Sequence, residues 1–587
     1  MPNQKISELT AVTSPAINDV LPIVNQGTTK KIRITNLATN VLSGTRVSLS
    51  AVELPGNLLI RSVSANNLFI GDSTTGNNNA TGNHNFVFGL STGNALTTGI
   101  NNVFVGNLAG RNNTAGNNNN FLGFQAGRNN TTGNNNNFLG VDAGRCIGTY
   151  GSASHNTFIG YKAGQGQYDV CPPIGSSCFP THNVAIGFQA GFKIGSTKNY
   201  FVGSCGPYTY FAANKNNIFI GQQAGHNSCA GLNNNAEAAC NNIFLGYRAG
   251  FCNTTGSSNN FFGYSAGRNN TTGCFNNFLG RNAGRYNTTG CFNNFLGPSA
   301  GVRNTTGSFN NFLGSNAGFC NTTGCFNNFL GYRAGFYNTT GSNNNFLGTC
   351  AGSRNTTGGF NNFLGYRAGF CNTTGDYNNF LGNAAGYSNT TGRYNNFLGR
   401  YAGRYNTTGY SNNFLGRCAG FRNTTGGYNN FLGTAAGYNN DTGNNNNFLG
   451  QGAGLYNTTG NYNNFLGSGA GFSNTTGFNN NFLGFQAGYN NTTGSNNNFL
   501  GGNAGCTNTI GSNNTIIGNQ ANVATNSLSG VIVIGQGAVA TASNTLVLGS
   551  ITTPLSAVHA TTLTNQVSSL VIRLNDQNLR IPILSGP

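Results

Sequence analysis

The chain has 587 residues, of which 90 are glycine, and only 6% of its residues are charged. Its 28 basic and 10 acidic side chains give a formal net charge of +18, which favours anionic partners. No segment has the length and hydrophobicity of a membrane span, and the first residues lack the apolar core of a signal peptide, so we expect neither membrane insertion nor signal-directed export.

Residues 1–66 are not repetitive. Short apolar runs, DVLPIV, KKIRITNL and RVSLSAVELP, are separated by Pro, Gly and Asn. Runs of this length with such boundaries are typical of short strands and turns. We therefore expect a β-rich N-terminal region that ends where the repeats begin.

A tandem repeat occupies residues 67–550. Its 17-residue period is unbroken over about 244–518, where the consensus is NTTGxxNNFLGxxAGxx, as in Asn287–Arg303. Degenerate copies precede this block, with irregular turns over 141–243, and the last spacing shortens to 14 residues between Gly535 and Gly549. The sequence contains about 28 units. We number the positions of each unit as columns 1 to 17, starting from the Asn of NTTG.

The length and composition of the unit determine the fold class. Seventeen residues are too few for two packed helices, and the Gly and Asn content disfavours any helix. The unit matches one turn of a narrow β-solenoid, with NNFLG as the strand and with Gly and Asn at corners of positive φ. Such units stack and share a core. We predict an all-β chain, an elongated parallel β-solenoid of about 28 short turns, with short non-repetitive β ends.

Columns 9 and 10 predict an oligomer. Phe at column 9 and Leu at column 10 point to opposite faces of a strand, so one chain buries one ladder and leaves the other as a long apolar stripe. Burial of that stripe between chains explains both ladders, and three chains is the usual number in such fibres. We predict a homotrimer whose axis is lined by the Phe ladder or by Leu279, Leu296, Leu313 and their equivalents.

Asparagine recurs at columns 1, 7 and 8. Stacked in register, these amides can hydrogen-bond from turn to turn. The Asn-Thr-Thr triplets at Asn253, Asn270 and Asn287 also match the acceptor pattern for N-glycosylation. Because no export signal is visible, amide stacking is the preferred interpretation.

The variable columns carry the candidate binding residues. Column 6 holds many Phe and Tyr residues, and column 16 accepts Phe, Tyr and Arg, which indicates a half-exposed position. Such side chains can stack on sugar rings. Residues Phe244–Phe499 contain thirteen arginines and only two acids, Asp376 and Asp441. The alternative is that these side chains only cover glycine-rich edges and that the array is an inert spacer. The candidate surface residues are Phe275, Phe292, Phe309, Phe326, Tyr377, Tyr394, Arg393, Arg400, Arg404, Arg417 and Arg422.

Three cysteine pairs are candidate disulfides. Cys274 and Cys291 share column 5 of consecutive turns, at a separation suited to a bridge. Two over-long units contain the pairs Cys171 with Cys178 and Cys229 with Cys240, where bridges would staple protruding loops. Free, partly buried thiols are the alternative. The clustered spacing of zinc ligands is absent.

The period stops in residues 551–587. The segment SSLVIRL-NDQ-NLRIPIL predicts a closing hairpin with its turn at Asn575–Gln577. Along the whole chain, the five histidines and ten acids are scattered and form no recurring pair. We therefore expect no enzymatic activity, no metal site and no cofactor.

Parts of the sequence resemble known families. The last turns, NTIIGNQANVATNSLSGVIVIGQGAVATASNTLVLGS, resemble the head repeats of trimeric autotransporter adhesins, which implies a left-handed, trimeric parallel β-roll that serves adhesion. The 17-residue version is similar to arrays in fibre proteins of phages and large viruses. The opening, KISELTAVTSPAINDVLPIVNQGTTKKIRITNL, resembles the leaders of viral appendage proteins, which implies an end that attaches to a particle or nucleates a trimer. LVIRLNDQNLRIPIL is similar to hairpins that close such fibres.

These features predict a structural virion fibre. Its rigid trimeric rod would project from the virion surface, bind a capsid or tail protein through the N-terminal region, and contact anionic glycans on the host cell. An extracellular bacterial filament or adhesin subunit is the alternative, and a polysaccharide- or ice-binding solenoid is a second one. Nucleic acid is not an expected partner.

Overall fold

A computed structural model describes residues 20–25, 28–33, 51–54, 58–63, 66–147, 153–165, 181–191, 199–203, 216–226, 239–549, 569–574 and 577–582. These residues form an all-β structure, a parallel β-solenoid of about 25 turns with no helix in the described ranges. This confirms the predicted fold class. The chain divides into two units, Met1–Tyr394 and Asn395–Pro587, which are described one at a time.

The first unit opens with an antiparallel meander. Strands β1 (Val20–Asn25), β2 (Thr28–Arg33), β3 (Ala51–Leu54) and β4 (Leu58–Val63) pair in sequence order, and β4 pairs antiparallel with β5 (Asn67–Gly71). From β5 onward each strand pairs with the next in parallel, beginning with β6 (Phe86–Phe88). The change from antiparallel to parallel pairing therefore coincides with the start of the repeat.

The remaining strands of the first unit have three residues each and lie one per turn. They are β7 (Val103–Val105), β8 (Asn120–Leu122), β9 (Asn137–Leu139), β10 (Thr157–Ile159), β11 (Val184–Ile186), β12 (Tyr200–Val202), β13 (Ile218–Ile220), β14 (Ile243–Leu245), β15 (Asn260–Phe262), β16 (Asn277–Leu279), β17 (Asn294–Leu296), β18 (Asn311–Leu313), β19 (Asn328–Leu330), β20 (Asn345–Leu347), β21 (Asn362–Leu364) and β22 (Asn379–Leu381).

The second unit continues the same pattern and ends in a hairpin. Its strands are β23 (Asn396–Leu398), β24 (Asn413–Leu415), β25 (Asn430–Leu432), β26 (Asn447–Leu449), β27 (Asn464–Leu466), β28 (Asn481–Leu483), β29 (Asn498–Leu500), β30 (Thr515–Ile517), β31 (Asn522–Val523), β32 (Ile532–Ile534), β33 (Val539–Ala540), β34 (Leu546–Leu548), β35 (Ser569–Leu574) and β36 (Gln577–Pro582). Among the described residues, a second strand per turn occurs only as the parallel pair β31–β33. The antiparallel pair β35–β36 is the expected hairpin. Gln577, which was expected in the turn, is the first residue of β36 and pairs with Leu574; residues 575–576 lie outside the described residues.

The strands stack without any shift in register. Asn294, Phe295 and Leu296 pair with the residues 17 positions later in β18, and the Phe rings of consecutive turns lie 4.7–4.8 Å apart. Column 9 Phe is buried and columns 8 and 10 are half-buried in every strand of the regular block. Phe therefore fills the interior of the chain itself, and Leu faces outward.

The interior is thin and contains few side-chain types. Besides Phe it holds the Ala of column 14 and the Asn of columns 1 and 7, all almost fully buried. The glycine of column 15 lies flat against the Phe ring of its own turn: a Cβ on Gly301 would meet Phe295 Cε2 at 2.4 Å. No larger residue fits there, because the ring is held between its two neighbours.

The Asn columns form the predicted amide ladders. The side-chain hydrogen bonds point towards the preceding turn in column 1 and towards the following turn in column 8. In column 1, Asn304 Nδ2 donates to Oδ1 of Asn287 in the preceding turn at 2.7 Å. In column 8, Asn294 Nδ2 donates to Oδ1 of Asn311 in the following turn at 2.9 Å. Buried amides need such partners. The column 1 amides are also inaccessible, since Asn253, Asn270 and Asn287 are 0% exposed, so the folded chain cannot present them for glycosylation.

Column 7 links the ladder to the backbone. The Asn310 N–H donates to Oδ1 of Asn293 at 3.0 Å, and Asn310 Nδ2 donates to the carbonyl oxygen of Gly324 in the next turn at 2.8 Å. The side chain of each Asn of this column therefore satisfies two backbone groups of the following turn, as Asn293 does with the N–H of Asn310 and the carbonyl oxygen of Gly307. This explains why the column does not accept another residue type in the regular block.

The corners differ in part from the sequence prediction. Glycines at columns 11 and 15 have positive φ, as expected, with values of 133° and 57° at Gly297 and Gly301. However, columns 6 and 13 also have positive φ and hold ordinary side chains, including Phe292 at 57° and Arg333 at 54°. The sequence did not indicate these positions, because Phe and Arg are uncommon in the left-handed region.

Candidate binding surfaces

The solenoid separates inward from outward columns. Columns 1, 4, 7, 9, 14 and 15 face the interior, and columns 3, 6, 12 and 17 are the most exposed in the regular block. A candidate residue therefore belongs to a surface row that runs along the stack, and residues in different columns lie on different rows. The predicted candidates occupy columns 5, 6, 12, 16 and 17, so the structure does not bring them together into one site.

The aromatic candidates lie in one row, which we call the column-6 ladder. It comprises Phe275, Phe292, Phe309 and Phe326, then Asn343, then Phe360, Tyr377 and Tyr394. The first four rings are stacked with centroids 4.9 Å apart and interplanar angles of 2–6°. The seven aromatic residues are 47–57% exposed. They therefore form an apolar ridge, interrupted once by Asn343, that the described part of the chain leaves open.

The arginine candidates are spread over four columns. Arg393 lies in column 5, Arg400 and Arg417 in column 12, and Arg422 in column 17; all four are exposed and form no ion pair with a described residue. Arg400 Nη2 donates to the Tyr401 hydroxyl at 3.1 Å. This hydrogen bond lowers the pKa of Tyr401.

Arg404 differs from the other arginines. It is half-buried, and its Cζ lies 4.8 Å from the ring centroid of Tyr401, 5.3 Å from that of Tyr405 and 5.8 Å from that of Phe421. Contacts of this geometry are cation–π interactions. Arg404 thus packs against the aromatic side chains of its own chain, unlike the four exposed arginines.

A trough that sequence reasoning missed runs beside column 17 of the first unit. It has a volume of about 610 Å³. The guanidinium groups of Arg303 and Arg354 lie over the rings of Phe319 and Phe370, at 5.7 and 5.2 Å, and form no ion pair with a described residue. We call it the Arg–Thr trough; its lining residues are Arg303, Cys320, Tyr337, Arg354, Thr322, Thr339, Thr356 and Thr373.

The threonines of the trough present methyl groups and oxygen lone pairs. Thr322 Oγ1 donates to the carbonyl oxygen of Thr339 in the next turn at 3.0 Å, and Thr339 repeats the contact with Thr356. Because each hydroxyl proton is used in the stack, the oxygen remains as an acceptor. Burial raises the pKa of the Cys320 thiol despite the opposing charge of Arg303, so this thiol lines the trough in its neutral form at neutral pH. The sequence signal was the alternation of Arg, Cys and Tyr in column 17, which is visible only once the columns are aligned.

The candidate disulfide between Cys274 and Cys291 is not formed in the structure. The Cys274 N–H donates to Sγ of Cys291 at 3.0 Å, and the Cys274 thiol donates to the Thr272 carbonyl oxygen at 3.3 Å. Serine makes the same contacts in this column, as Ser308 does with Cys291 and Thr306. Column 5 cysteine therefore acts as a substitute for serine. Cys171, Cys178 and Cys229, and with them the pairing of Cys240, lie outside the described residues.

The described ranges contain neither a metal-binding cluster nor a membrane-spanning helix. No group of three or more His, Cys, Asp or Glu side chains there is placed to hold a metal ion. No helix in those ranges has the length and hydrophobicity needed to cross a membrane. Comparison of the chain with protein-family models, with curated proteins and with solved structures found no match.

Proposed function

We propose that the chain is a structural fibre subunit that assembles as a homotrimer and projects as a rod from a viral particle. The observation that supports this most directly is the outer face of the sheet. Phe of column 9 is already buried inside the chain, while the column 10 residue, Leu in nearly every turn of the regular block, points outward. Of the two ladders considered for the shared axis, the Leu ladder is therefore the one available.

The outward face of the strands is more apolar in β6, near the start of the first unit, and in β32, near the end of the second unit. In the regular block the row next to Leu is the amide ladder of column 8, whereas Phe86 and Phe88 occupy both rows in β6 of the first unit. Ile532 and Ile534 do so in β32 of the second unit. These four side chains are 36–46% exposed. Large exposed apolar stripes mark contact surfaces. In a trimer, the matching rows of the second and third copies of the chain would cover this stripe.

The trimer is tested by changing the Leu ladder. Replacing Leu296, Leu313 and Leu330 with Asn introduces polar groups at the shared axis, where burying them without partners is costly. We expect the mass of the purified chain, measured by light scattering after size exclusion, to fall from three chains to one. The matched control replaces Thr289, Thr306 and Thr323 of exposed column 3 with Asn and retains the trimer.

A monomeric wild-type chain at micromolar concentration would overturn the trimer proposal. The same holds if the Leu variant and the control have the same mass as the wild-type chain.

The N-terminal meander β1–β4 is proposed as the region that binds a capsid or tail protein. The proposal rests on the resemblance of the opening sequence to leaders of viral appendage proteins, together with the position of the meander directly before the first solenoid turn. The place where the protein is found distinguishes a virion fibre from the alternative, an extracellular filament or adhesin subunit. A virion fibre copurifies with particles and is lost from them when residues 1–66 are deleted, whereas a filament subunit is found on cells.

We further propose that anionic glycan is the cell-surface ligand of the fibre, and that it lies in the Arg–Thr trough and along the exposed arginines. Arg303 and Arg354 stand three turns apart, about 14 Å at one strand spacing per turn, with the half-exposed ring of Tyr337 between them. An extended polymer with regularly spaced acidic groups suits such a row. The ice-binding alternative is less well supported, because the column 2 hydroxyls donate into the stack.

A further inference from the structure

The column-6 ladder has no role in the proposed trimer, because it lies on a different row of the turn from the Leu ladder. We propose that it is a second self-association surface, on which the same ladder of another copy binds side by side. The occupant is thus a second copy of this chain, and the inference concerns lateral pairing of chains or of assembled fibres. It does not depend on the proposed trimer.

The first argument is that the backbone does not favour aromatic residues at these positions. Phe275, Phe292, Phe309 and Phe326 have φ of 56–59°, and Asn343 occupies the same column at 59°. The left-handed region is tolerated by Asn and disfavoured for Phe. An Asn ladder would therefore serve the fold better at every step. Residues kept in such a conformation indicate a function for the side chain itself.

The second argument is the stacking of the rings. Their planes are parallel within 2–6° and their centroids are 4.9 Å apart, so neighbouring rings cover each other's faces. A sugar ring stacks on a free aromatic face, and between the stacked neighbours from Phe275 to Phe326 only the ring edges are open. Ring edges suit contact with other aromatic side chains. The geometry therefore favours an aromatic partner over a glycan for this row.

The third argument is the period of the row. A partner that contacts every ring must present a contacting group about every 4.8 Å. A second copy of the chain has this spacing because it carries the same ladder. Identical ladders pack against each other in this way between the sheets of cross-β assemblies. Beside the first four rings, column 5 holds only small, uncharged residues, so no charge would be buried there; these residues are Cys274, Cys291, Ser308 and Cys325. Beside Tyr377 and Tyr394, column 5 holds the oppositely charged residues Asp376 and Arg393.

The fourth argument is the area. The seven aromatic residues are 47–57% exposed, and aromatic side chains bury about 150–250 Å² each, so the row offers roughly 700 Å² per partner. Stable interfaces need about 800 Å² per partner. The column-6 ladder with its immediate flanks therefore reaches the size of a weak but specific interface.

The test replaces Phe275, Phe292, Phe309 and Phe326 with Asn, the residue found naturally at position 343. Sedimentation over a range of concentrations is expected to show that the wild-type species doubles in mass and that the variant requires at least a tenfold higher concentration to do so. The melting temperature of the variant is expected to be unchanged or higher, since Asn relieves the backbone conformation. A loss of association can then not be ascribed to unfolding.

The matched control removes the same number of exposed rings from another row. Tyr264, Tyr332, Tyr366 and Phe485 of column 12 are 46–56% exposed, and their replacement with Asn leaves the doubling unchanged if the ladder is specific. The inference is overturned if wild type does not double, if the column-6 variant doubles as wild type does, or if both variants lose association equally. It is likewise overturned if the column-6 variant keeps its mass behaviour but no longer binds an immobilised sulfated polysaccharide.

These outcomes are independent of the Leu ladder. If the trimer proposal fails, the wild-type chain is a monomer that still forms dimers through column 6. If the ladder inference fails, the trimer remains and does not pair further. The Leu296, Leu313 and Leu330 variant, measured in the same series, distinguishes the two cases.

Discussion

Phe363 illustrates how single residues carry the stability of the stack. It is 0% exposed, and its ring lies 4.8 Å from Phe346 in the turn before and 4.8 Å from Phe380 in the turn after. One side chain thus fills the core of its own turn and forms half of two interfaces. In a repeat protein, stability is a sum of such nearest-neighbour terms.

Replacing Phe363 with Ala is expected to destabilise its surroundings by about 3–5 kcal/mol, because it removes a buried ring and leaves a cavity between two others. The effect is expected to be local, as neighbouring turns hold the backbone in place. Hydrogen exchange of the amides in Asn362–Leu364 should therefore accelerate. The control is the replacement of Phe360 with Asn. Phe360 lies three residues before Phe363 and is 53% exposed, so this replacement should leave the exchange rates unchanged. Equal protection in both variants would mean that Phe363 does not belong to the core.

At the scale of one turn, the sequence predicted the strand better than the corners. The NNFLG strand, the opposite orientation of its Phe and Leu, and its amide ladders follow from period-two alternation and from the repetition itself. Which of the two side chains faces inward did not follow from the sequence. The positive φ at columns 6 and 13 was not predictable, because the residues there, such as Phe275 and Arg333, are ones that normally avoid it. The Arg–Thr trough was missed for a related reason: it is formed by columns 17 and 2, which are adjacent only across the boundary chosen for the unit. Both features, the positive φ of columns 6 and 13 and the Arg–Thr trough, depend on how the turns stack and not on the sequence of a single unit.

Column 15 gives a prediction at this scale. Gly369 of this column has φ 57°, and a Cβ there would meet Phe363 Cε2 at 2.4 Å. Gly452 of column 13 has a similar φ of 62°, but a Cβ there would have its nearest neighbour, Phe472, at 3.6 Å. Gly452→Ala therefore measures the cost of the left-handed backbone alone, about 1 kcal/mol. Gly369→Ala adds the displacement of a tightly held ring, for a total of roughly 2–4 kcal/mol.

Chemical denaturation of the two variants separates these costs. If Gly369→Ala and Gly452→Ala have the same stability, then the Phe ring can move aside and the interior is less tightly packed than the geometry indicates.

At the scale of the whole molecule, the excess of positive charge is repeated along the array. Each exposed arginine contributes a weak contact of a few tenths of a kcal/mol, and repetition converts weak contacts into avidity. The sequence predicted this general property, but it did not identify which arginines are available. The structure assigns Arg404 to packing and adds Arg303 and Arg354 as candidates.

Replacing Arg393, Arg400, Arg417 and Arg422 with Ser is expected to weaken binding to an immobilised sulfated polysaccharide about tenfold at low salt, which is about 1.4 kcal/mol. The difference should shrink at physiological ionic strength, where charges are screened beyond about 8 Å. The same four positions changed to Lys form the control, since the charge is kept. Binding that is unaffected by the Ser variant at either salt concentration would favour the inert spacer.

The unvarying register of the strands has a consequence for how this gene can change. Asn294, Phe295 and Leu296 meet β18 in the same way that every strand of the regular block in its unit meets the next. Loss or duplication of one 17-residue unit within such a block joins two surfaces that already fit. Recombination between the near-identical copies can therefore shorten or lengthen the protein in whole steps without passing through a misfolded intermediate, whereas an insertion of any other length must be accommodated as a loop. Related genes are accordingly expected to differ in copy number more readily than in the sequence of the strand.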